Sequence, residues 1–283
     1  MELYTVIKKE ELNSITKKLV IYAPDIAAKA QAGQFLIIKV HEKSERIPLT
    51  FSDWDKKNGT ITIIFQEVGF SSIELGKLKT GEKIRNLAGP LGNPSEIHNY
   101  GTAVIACGGL GTAVAYPVAK ALKEAGNKVI TLIGARNKDL FILEKEIEAV
   151  STQVIYSTDD GSKGQKGFVS DLLKDLIINK KEQINITFVI GPPIMMMVTS
   201  EVTRPFNIKT IASLNPIMVD GMGMCGACRV TIDGQIKFAC VDGPEFDAHK
   251  VDFKELIQRL KCYVKEEKQA THKGGHCQCH SHQ

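Results

Sequence analysis

The chain has 283 residues, 43% of them hydrophobic and 24% charged, which is ordinary for a soluble globular protein of about two domains. That composition excludes collagen-like, intrinsically disordered and disulfide-scaffold classes. The 36 Lys and Arg residues against 32 Asp and Glu leave a net charge of +4, and the two signs are interleaved rather than gathered into a basic stripe, so nucleic acid is not an expected partner.

In chain order, residues 1–98 read as strands. Segments 3–12, 17–24, 33–40, 48–55, 59–68 and 82–89 are short and rich in Ile, Val, Thr and Phe, and they are separated by Gly, Pro, Asn or Lys-rich turns. Only Ser71 to Leu78 suggests a helix. Strands at this spacing predict a small antiparallel β-barrel.

The pattern changes near Tyr100. Strand 102–107 runs through the turn GGLGTA into a helix-like stretch at 113–126. Strand 128–136, helix 139–150, strand 152–160, a Gly-rich loop, helix 169–177, strand 185–191 and helix 192–202 follow. Alternation of this kind predicts a parallel sheet with helices on its faces over residues 99–205. Past about Pro205 the alternation is read as ending. A Gly/Met/Cys segment then covers 206–255, and residues 256–283 form a C-terminal helix and polar tail ending in HKGGHCQCHSHQ.

The N-terminus has no apolar signal-peptide core. The longest uncharged stretch, Asn99 to Ala119, contains four glycines and Pro117, which suits strand, turn and helix rather than a membrane span. No membrane partner is expected, and the predicted location is cytoplasmic. There, an odd count of seven cysteines points to metal ligands more than to bridges.

Cys225 and Cys228 stand in a C-x2-C arrangement, with Cys240 following after eleven intervening residues. The plant-type [2Fe–2S] spacing is C-x4-C-x2-C…C. Counting back five places from Cys225 reaches Asp220, so the spacing is met with a carboxylate where a thiolate is expected. Glycines 221, 223 and 226 let the backbone turn tightly there. Two other readings stay open at this point: Asp220 as a solvated turn residue, and the three cysteines as a zinc knuckle completed by Cys262.

The turn Cys107-Gly108-Gly109-Leu110-Gly111-Thr112 joins a strand to a helix, so its backbone amides can face a phosphate. It does not match G-x-G-x-x-G, and a plain tight turn is the other reading. Arg136, the pair Asp159 and Asp160, and Gly191-Pro192-Pro193 each follow a predicted strand. All therefore lie on the sheet edge where open α/β folds bind ligands. In the first half, Arg46-Ile47-Pro48-Leu49-Thr50 offers a planar guanidinium fork for a diphosphate, or is simply a strand entry. Gly69-Phe70-Ser71-Ser72 opens a helix with an anion-friendly start.

In this order, the segments Arg46–Thr50, Gly89-Pro90-Leu91-Gly92, Cys107–Gly111 and Gly191–Pro193, followed by the cysteine segment, resemble the ferredoxin–NADP reductase superfamily over residues 1–255. Within it, the chain is similar to the electron-transfer subunits of dihydroorotate dehydrogenase. It is closer to the small subunits of NADH-dependent reduced ferredoxin:NADP oxidoreductase, also described as sulfide dehydrogenase. The resemblance implies FAD held by Arg46, Pro48, Leu49, Thr50, Gln66, Val68, Gly69, Ser71 and Ser72. It implies NAD(H), with NADP(H) as the alternative, on Gly108, Gly109, Gly111, Thr112, Arg136, Asp159, Asp160, Gly191, Pro192 and Pro193. It implies a [2Fe–2S] cluster on Asp220, Cys225, Cys228 and Cys240, where the dihydroorotate-type subunit has a cysteine first. No side chain is expected to act as general acid or base. The implied function is electron transfer from NAD(H) through FAD and the cluster to a larger flavin and iron–sulfur subunit, in a heterodimer that reaches ferredoxin through that subunit. A pyrimidine-pathway electron-transfer subunit and a non-enzymatic zinc or redox-sensing module are the alternatives.

Overall fold

The computed structural model describes residues 2–266 and 269; the His- and Cys-rich end of the chain lies outside them. Antiparallel strands build the first half: β1 (Val6–Glu11), β2 (Thr16–Tyr22), β3 (Phe35–Lys39), β4 (Arg46–Asp55), β5 (Thr60–Gln66) and β6 (Asn86–Leu91), with a helical turn α1 (Pro24–Ala27) and helix α2 (Phe70–Lys77) between them. They form one six-stranded sheet in the order β1-β2-β5-β4-β3-β6. Its two ends approach each other, since Val6 N–H donates to the Glu82 carbonyl and Ile84 N–H to that of Tyr4, at 2.8 and 2.9 Å. Alternation does the folding here: Leu19 and Ile21 of β2 face Ile61, Ile63 and Phe65 of β5 inside a closed apolar core, because successive strand side chains point to opposite faces.

The second half holds β7 (Thr102–Gly108), α3 (Gly111–Glu124), β8 (Lys128–Ala135), α4 (Glu144–Val150), β9 (Gln153–Thr158), β10 (Gln165–Lys166), α5 (Val169–Ile178), β11 (Ile186–Ile190), α6 (Pro193–Thr203) and β12 (Lys209–Ser213). Strands β9-β8-β7-β11-β12 lie in that order and run parallel. Strands β7 and β11 are buried on both faces, as central strands of a parallel sheet must be. The order reverses at β7. The chain winds through β8 and β9 on one side and returns to β11 and β12 on the other, which leaves a switch point between the carboxyl ends of β7 and β11.

Two sequence expectations need correction. The sheet does not end near Pro205, because β12 adds a further parallel strand after a single-turn Arg204–Phe206 helix. The helix expected over 139–150 begins only at Glu144. Phe141, Ile142 and Leu143 are all buried, and three consecutive residues cannot share one helical face. They lie outside any helix instead: Phe141 is extended and Leu143 takes a left-handed turn at φ 54°.

Beyond β12, β13 (Arg229–Ile232) and β14 (Gln235–Phe238) make a hairpin, β15 (Glu245–Asp247) pairs antiparallel with β12, and α7 (Phe253–Arg259) follows. This segment packs into one core with Phe35 and Ile37 of β3 and with α5 and α6. Among the described residues no helix is long and apolar enough to cross a membrane.

A short link ties the parts together. Ser95 N–H donates to the Ala32 carbonyl at 2.8 Å, and Asn93 N–H to that of Gly243 at 2.7 Å. The Ser95 hydroxyl donates to Glu245 Oε1 at 2.7 Å. Burial, with Glu96 nearby, pushes the Glu245 carboxyl up to about 7 against the pull of the Ser95 bond. The folded protein therefore keeps this proton up to about pH 7, while the unfolded chain releases it near 4.5. Folding takes up a proton in that window, so this group's contribution declines as pH rises from 4.5 to 7 and stays low above. Glu245→Gln keeps the acceptor for Ser95 and removes the charge. In urea titrations it is expected to gain on the order of 2 kcal/mol over the parent at pH 8 and almost nothing at pH 4.

Candidate functional site

At the switch point the two glycine motifs meet. Gly111 opens α3 so close to the end of β11 that a Cβ on it would stand 2.3 Å from the Ile190 carbonyl oxygen. A Cβ on Gly191 would stand 3.2 Å from the Gly108 nitrogen. Gly109, at φ +55°, faces open space while its own N–H reaches the Gly134 carbonyl at 3.0 Å. The structure thus joins Gly108, Gly109, Gly111 and Thr112 to Gly191, Pro192 and Pro193, with Pro193 starting α6, where its missing N–H costs nothing. Small residues leave room for a ligand above the α3 N-terminus. Met195 packs over Gly108. Cys107 beneath is fully buried and its thiol is pushed up to about 12 by burial, so it is a packing residue, not a nucleophile.

The loops after β8 and β9 form the crevice's other wall. Asp159 N–H donates to the Ala135 carbonyl and Asp160 N–H to that of Arg136, at 3.1 and 3.3 Å, so Arg136 and both aspartates stand together. Hydrogen bonds from Ser162 hold the Asp160 carboxyl below its ordinary value.

On β4, register decides which residues look outward. Pro48 pairs with Ile37, and Thr50 with Phe35. Directly opposed residues in an antiparallel pair share a face, so Arg46, Pro48 and Thr50 lie on the side of Phe35 and Ile37, while Ile47 and Leu49 pack into the sheet's own core. The Leu49 side chain is thereby turned away from any ligand on that face. Arg46 Nε is buried with no hydrogen-bond partner, which suits an absent anionic group such as a diphosphate. Gln66 ends β5 opposite Thr16, Val68 is exposed, and Gly69 caps α2. The Ser72 hydroxyl accepts from the Val68 and Gly69 amides at 3.1 and 3.0 Å, so it is committed to the cap rather than free for a ligand. Ser71 donates to Glu45 at 3.4 Å, which draws the start of β4 to the α2 N-terminus.

The cysteines are only partly assembled. Cys228 precedes β13 and Cys240 follows β14, so the hairpin that pairs Arg229 with Phe238 brings the two sulfurs to 3.2 Å. Gly223 N–H donates to Cys240 Sγ at 3.2 Å. Burial and the neighbouring Cys228 push the Cys240 thiol up to about 11. Cys225 is exposed and Asp220 half-buried. Among the described residues no three His, Cys, Asp or Glu side chains are gathered into a metal-holding group, and Cys262 lies exposed in the turn Leu260–Tyr263 without completing one. Soft thiol donors on a glycine-rich loop nonetheless suit an iron–sulfur cluster. Gly221, at φ +78°, rests that loop on the first sheet, where an added Cβ would come within 2.7 Å of Leu91 and 2.9 Å of Ile37. Val219, Met222, Met224 and Val241 form an exposed apolar rim around it. The sequence reading missed this rim, and its only signal was the Gly-Met-Gly-Met run.

Residues 105–201 match the family described as oxidoreductase NAD-binding domain, and residues 215–252 the iron-sulfur cluster binding domain of dihydroorotate dehydrogenase B. The chain is 48% identical over 266 residues to the dihydroorotate dehydrogenase B (NAD(+)) electron transfer subunit homolog of Thermotoga maritima, covering 91% of this chain and 93% of that one. It is 34% identical to the corresponding electron transfer subunit of Streptococcus mutans, over 87% of this chain and 96% of that one. A solved structure giving insights into flavin-based electron bifurcation via the NADH-dependent reduced ferredoxin-NADP oxidoreductase superposes with a TM-score of 0.92 at 44% identity, covering 97% and 98% of the two chains.

Gly111→Ala tests the switch-point packing. With its methyl 2.3 Å from a backbone oxygen, the variant is expected to lose about 2 kcal/mol in denaturant unfolding and to bind NAD+ more weakly in calorimetry.

Proposed function

The chain belongs to the family of dihydroorotate dehydrogenase B electron-transfer subunits, and on that footing we propose that it passes electrons from NAD(H) to a larger flavin and iron–sulfur subunit of the bifurcating ferredoxin:NADP type. It is an oxidoreductase subunit whose cofactors are NAD, FAD and an iron–sulfur cluster. When bound, FAD takes two electrons as hydride and can release them singly, and a [2Fe–2S] cluster takes one at a time.

The chain's own work is placement. In this reading the first sheet, its ends bridged, serves as the flavin-binding barrel, with Arg46 on the diphosphate and Thr50 toward the reactive edge. The glycine turns at the switch point seat the dinucleotide. Asp220, Cys225, Cys228 and Cys240 hold the cluster, which requires loop 220–226 to close over the Cys228–Cys240 pair. The observation that carries the reading is the shared face of β3 and β4. The loop resting on Ile37 and Leu91 lies on the same face as Arg46, Pro48 and Thr50, so those residues would hold a flavin on the face that the cluster loop covers. Asp220, a harder ligand than the thiolate of the dihydroorotate-type subunit, favours the bifurcating type. The exposed Val219, Met222, Met224 and Val241 rim offers the larger subunit an apolar seat around the outlet.

The protein purified without oxygen is expected to show flavin and [2Fe–2S] absorbance together. Cys240→Ser should lose the iron and keep the flavin, whereas a parent with neither iron nor flavin overturns the reading. Asp220→Cys should keep the cluster and move its potential in an EPR-monitored redox titration. An unmoved potential removes Asp220 from the ligand set.

A further inference from the structure

Loop 159–164 carries both aspartates of the dinucleotide crevice, yet it is tied down by a residue outside the proposed binding set. Lys163 Nζ pairs with the Glu144 carboxylate in the first turn of α4. The same ammonium stands 4.4 Å from the centre of the Tyr156 ring and 5.6 Å from that of Phe141, two rings packed edge to face. Cations are attracted to such ring faces. The backbone on either side is fixed too. The Thr158 hydroxyl accepts from Lys163 N–H at 3.1 Å and donates to the Lys163 carbonyl at 2.9 Å. The Ser162 hydroxyl accepts from Lys138 N–H at 2.9 Å. Tyr156 is anchored in turn by donating to Glu148 at 2.9 Å, and burial keeps its phenol neutral.

The two aspartates are left with different tasks. Asp160 spends a carboxylate oxygen on the Ser162 amide at 2.9 Å, which shapes the loop from within. Asp159 makes no side-chain hydrogen bond or ion pair among the described residues, and its backbone is fixed to Ala135. A carboxylate free beside a crevice is the partner a ribose diol needs, since it accepts from both hydroxyls. Lys163, the cation closest in sequence, is committed to Glu144 and so is not free to take a phosphate on that ribose.

We propose that Lys163 is a positioning residue for the dinucleotide, clamped by Glu144 over Tyr156 so that loop 159–164 presents Asp159, not Asp160, to the adenosine ribose. The proposal rests on the reading that this crevice binds NAD(H). Held on a free loop, Asp159 would sample many positions, and small misplacements of a binding group are costly.

The test uses the full flavin-loaded chain, with NAD+ binding by calorimetry and NADH-driven flavin reduction by stopped flow. Lys163→Glu and Glu144→Lys, each alone, are expected to weaken NAD+ binding and raise the NADH concentration for half-maximal reduction by roughly tenfold, with the limiting reduction rate within about twofold. Combining the two restores an ion pair of opposite polarity and is expected to recover most of the loss. Asp159→Asn should weaken binding at least as much as Lys163→Glu. Unchanged binding in Lys163→Glu overturns the clamp. So does a double variant no better than the singles, because a lysine touching the nucleotide directly cannot be rescued from Glu144. A wild-type chain that binds no NAD+ refutes the crevice reading instead, and is told apart by failing before any variant is compared.

Discussion

Strand β3 must be covered on both faces, and the rest of the architecture follows from that. Leu36 and Ile38 fill the core of the first sheet, while Phe35 and Ile37 on the other face belong to the core formed by α5, α6 and the cysteine segment. A strand apolar on both sides cannot stand at a water-exposed surface without losing roughly 25 cal/mol for each Å² of apolar area left uncovered. Cysteine segment and first sheet are therefore halves of one buried interface rather than beads on a string. The link through Gly92, Asn93 and Ser95 fixes their register: the Gln34 side-chain amide donates to the Gly92 carbonyl, and the Asn93 and Ser95 amides donate to the Gly243 and Ala32 carbonyls. Because β4 pairs with β3 residue for residue, whatever sits on Phe35 and Ile37 is automatically beside Pro48 and Thr50.

Much of this was legible in the sequence because the signals are local. Short runs rich in Ile, Val, Thr and Phe, set apart by turn residues, marked the six strands of the first sheet. The βα alternation marked the parallel sheet through β11, and glycines at strand ends marked the switch-point turn. The misses share a different character. Strand β12 is five residues long and follows a proline-containing turn, so its reason to be a strand is the exposed edge of β11 and not its own composition. Residues 141–143 are apolar enough for a helix and are pulled out of it because all three have somewhere to be buried. The Cys228–Cys240 contact was implied by spacing alone. The face on which Leu49 points depends on register, and Ser72 belongs to a cap that only the start of α2 reveals. Lys163 gave no signal at all: its partners Glu144, Phe141 and Tyr156 precede it by 7 to 22 residues and meet it only because α4 and β9 lie side by side.

The two glycine-rich turns solve the same problem on different partners. At the switch point, Gly111 and Gly191 remove side chains so that the ends of β7 and β11 can come together beneath an α-helix N-terminus. In the cysteine loop, Gly221 removes one so that a backbone can lie on Ile37 and Leu91. In both places the backbone occupies ground where a Cβ would collide with backbone or core atoms. Substitution there acts on packing before it acts on chemistry, which separates these positions from the sulfurs, where the chemistry goes first.

Around these sites the buried titratable groups are held neutral. Burial pushes Cys107 up to about 12 and Glu245 up to about 7 and raises Tyr156, so Cys107 and Tyr156 add no charge to the interior at neutral pH, and Glu245 adds none once the pH falls well below 7. The charged groups of the crevice, Arg136, Asp159 and Asp160, stay on its rim, where water screens them. A redox centre held in such an interior feels mainly backbone dipoles and hydrogen bonds, of which Gly223 N–H toward Cys240 is the visible example. Those influences are short-ranged and set by geometry, so each centre can be tuned by its own loop with little effect on the next. For a chain that hands electrons between unlike carriers, that independence matters more than any one potential. It follows from where the protein places its glycines and which of its acids it buries.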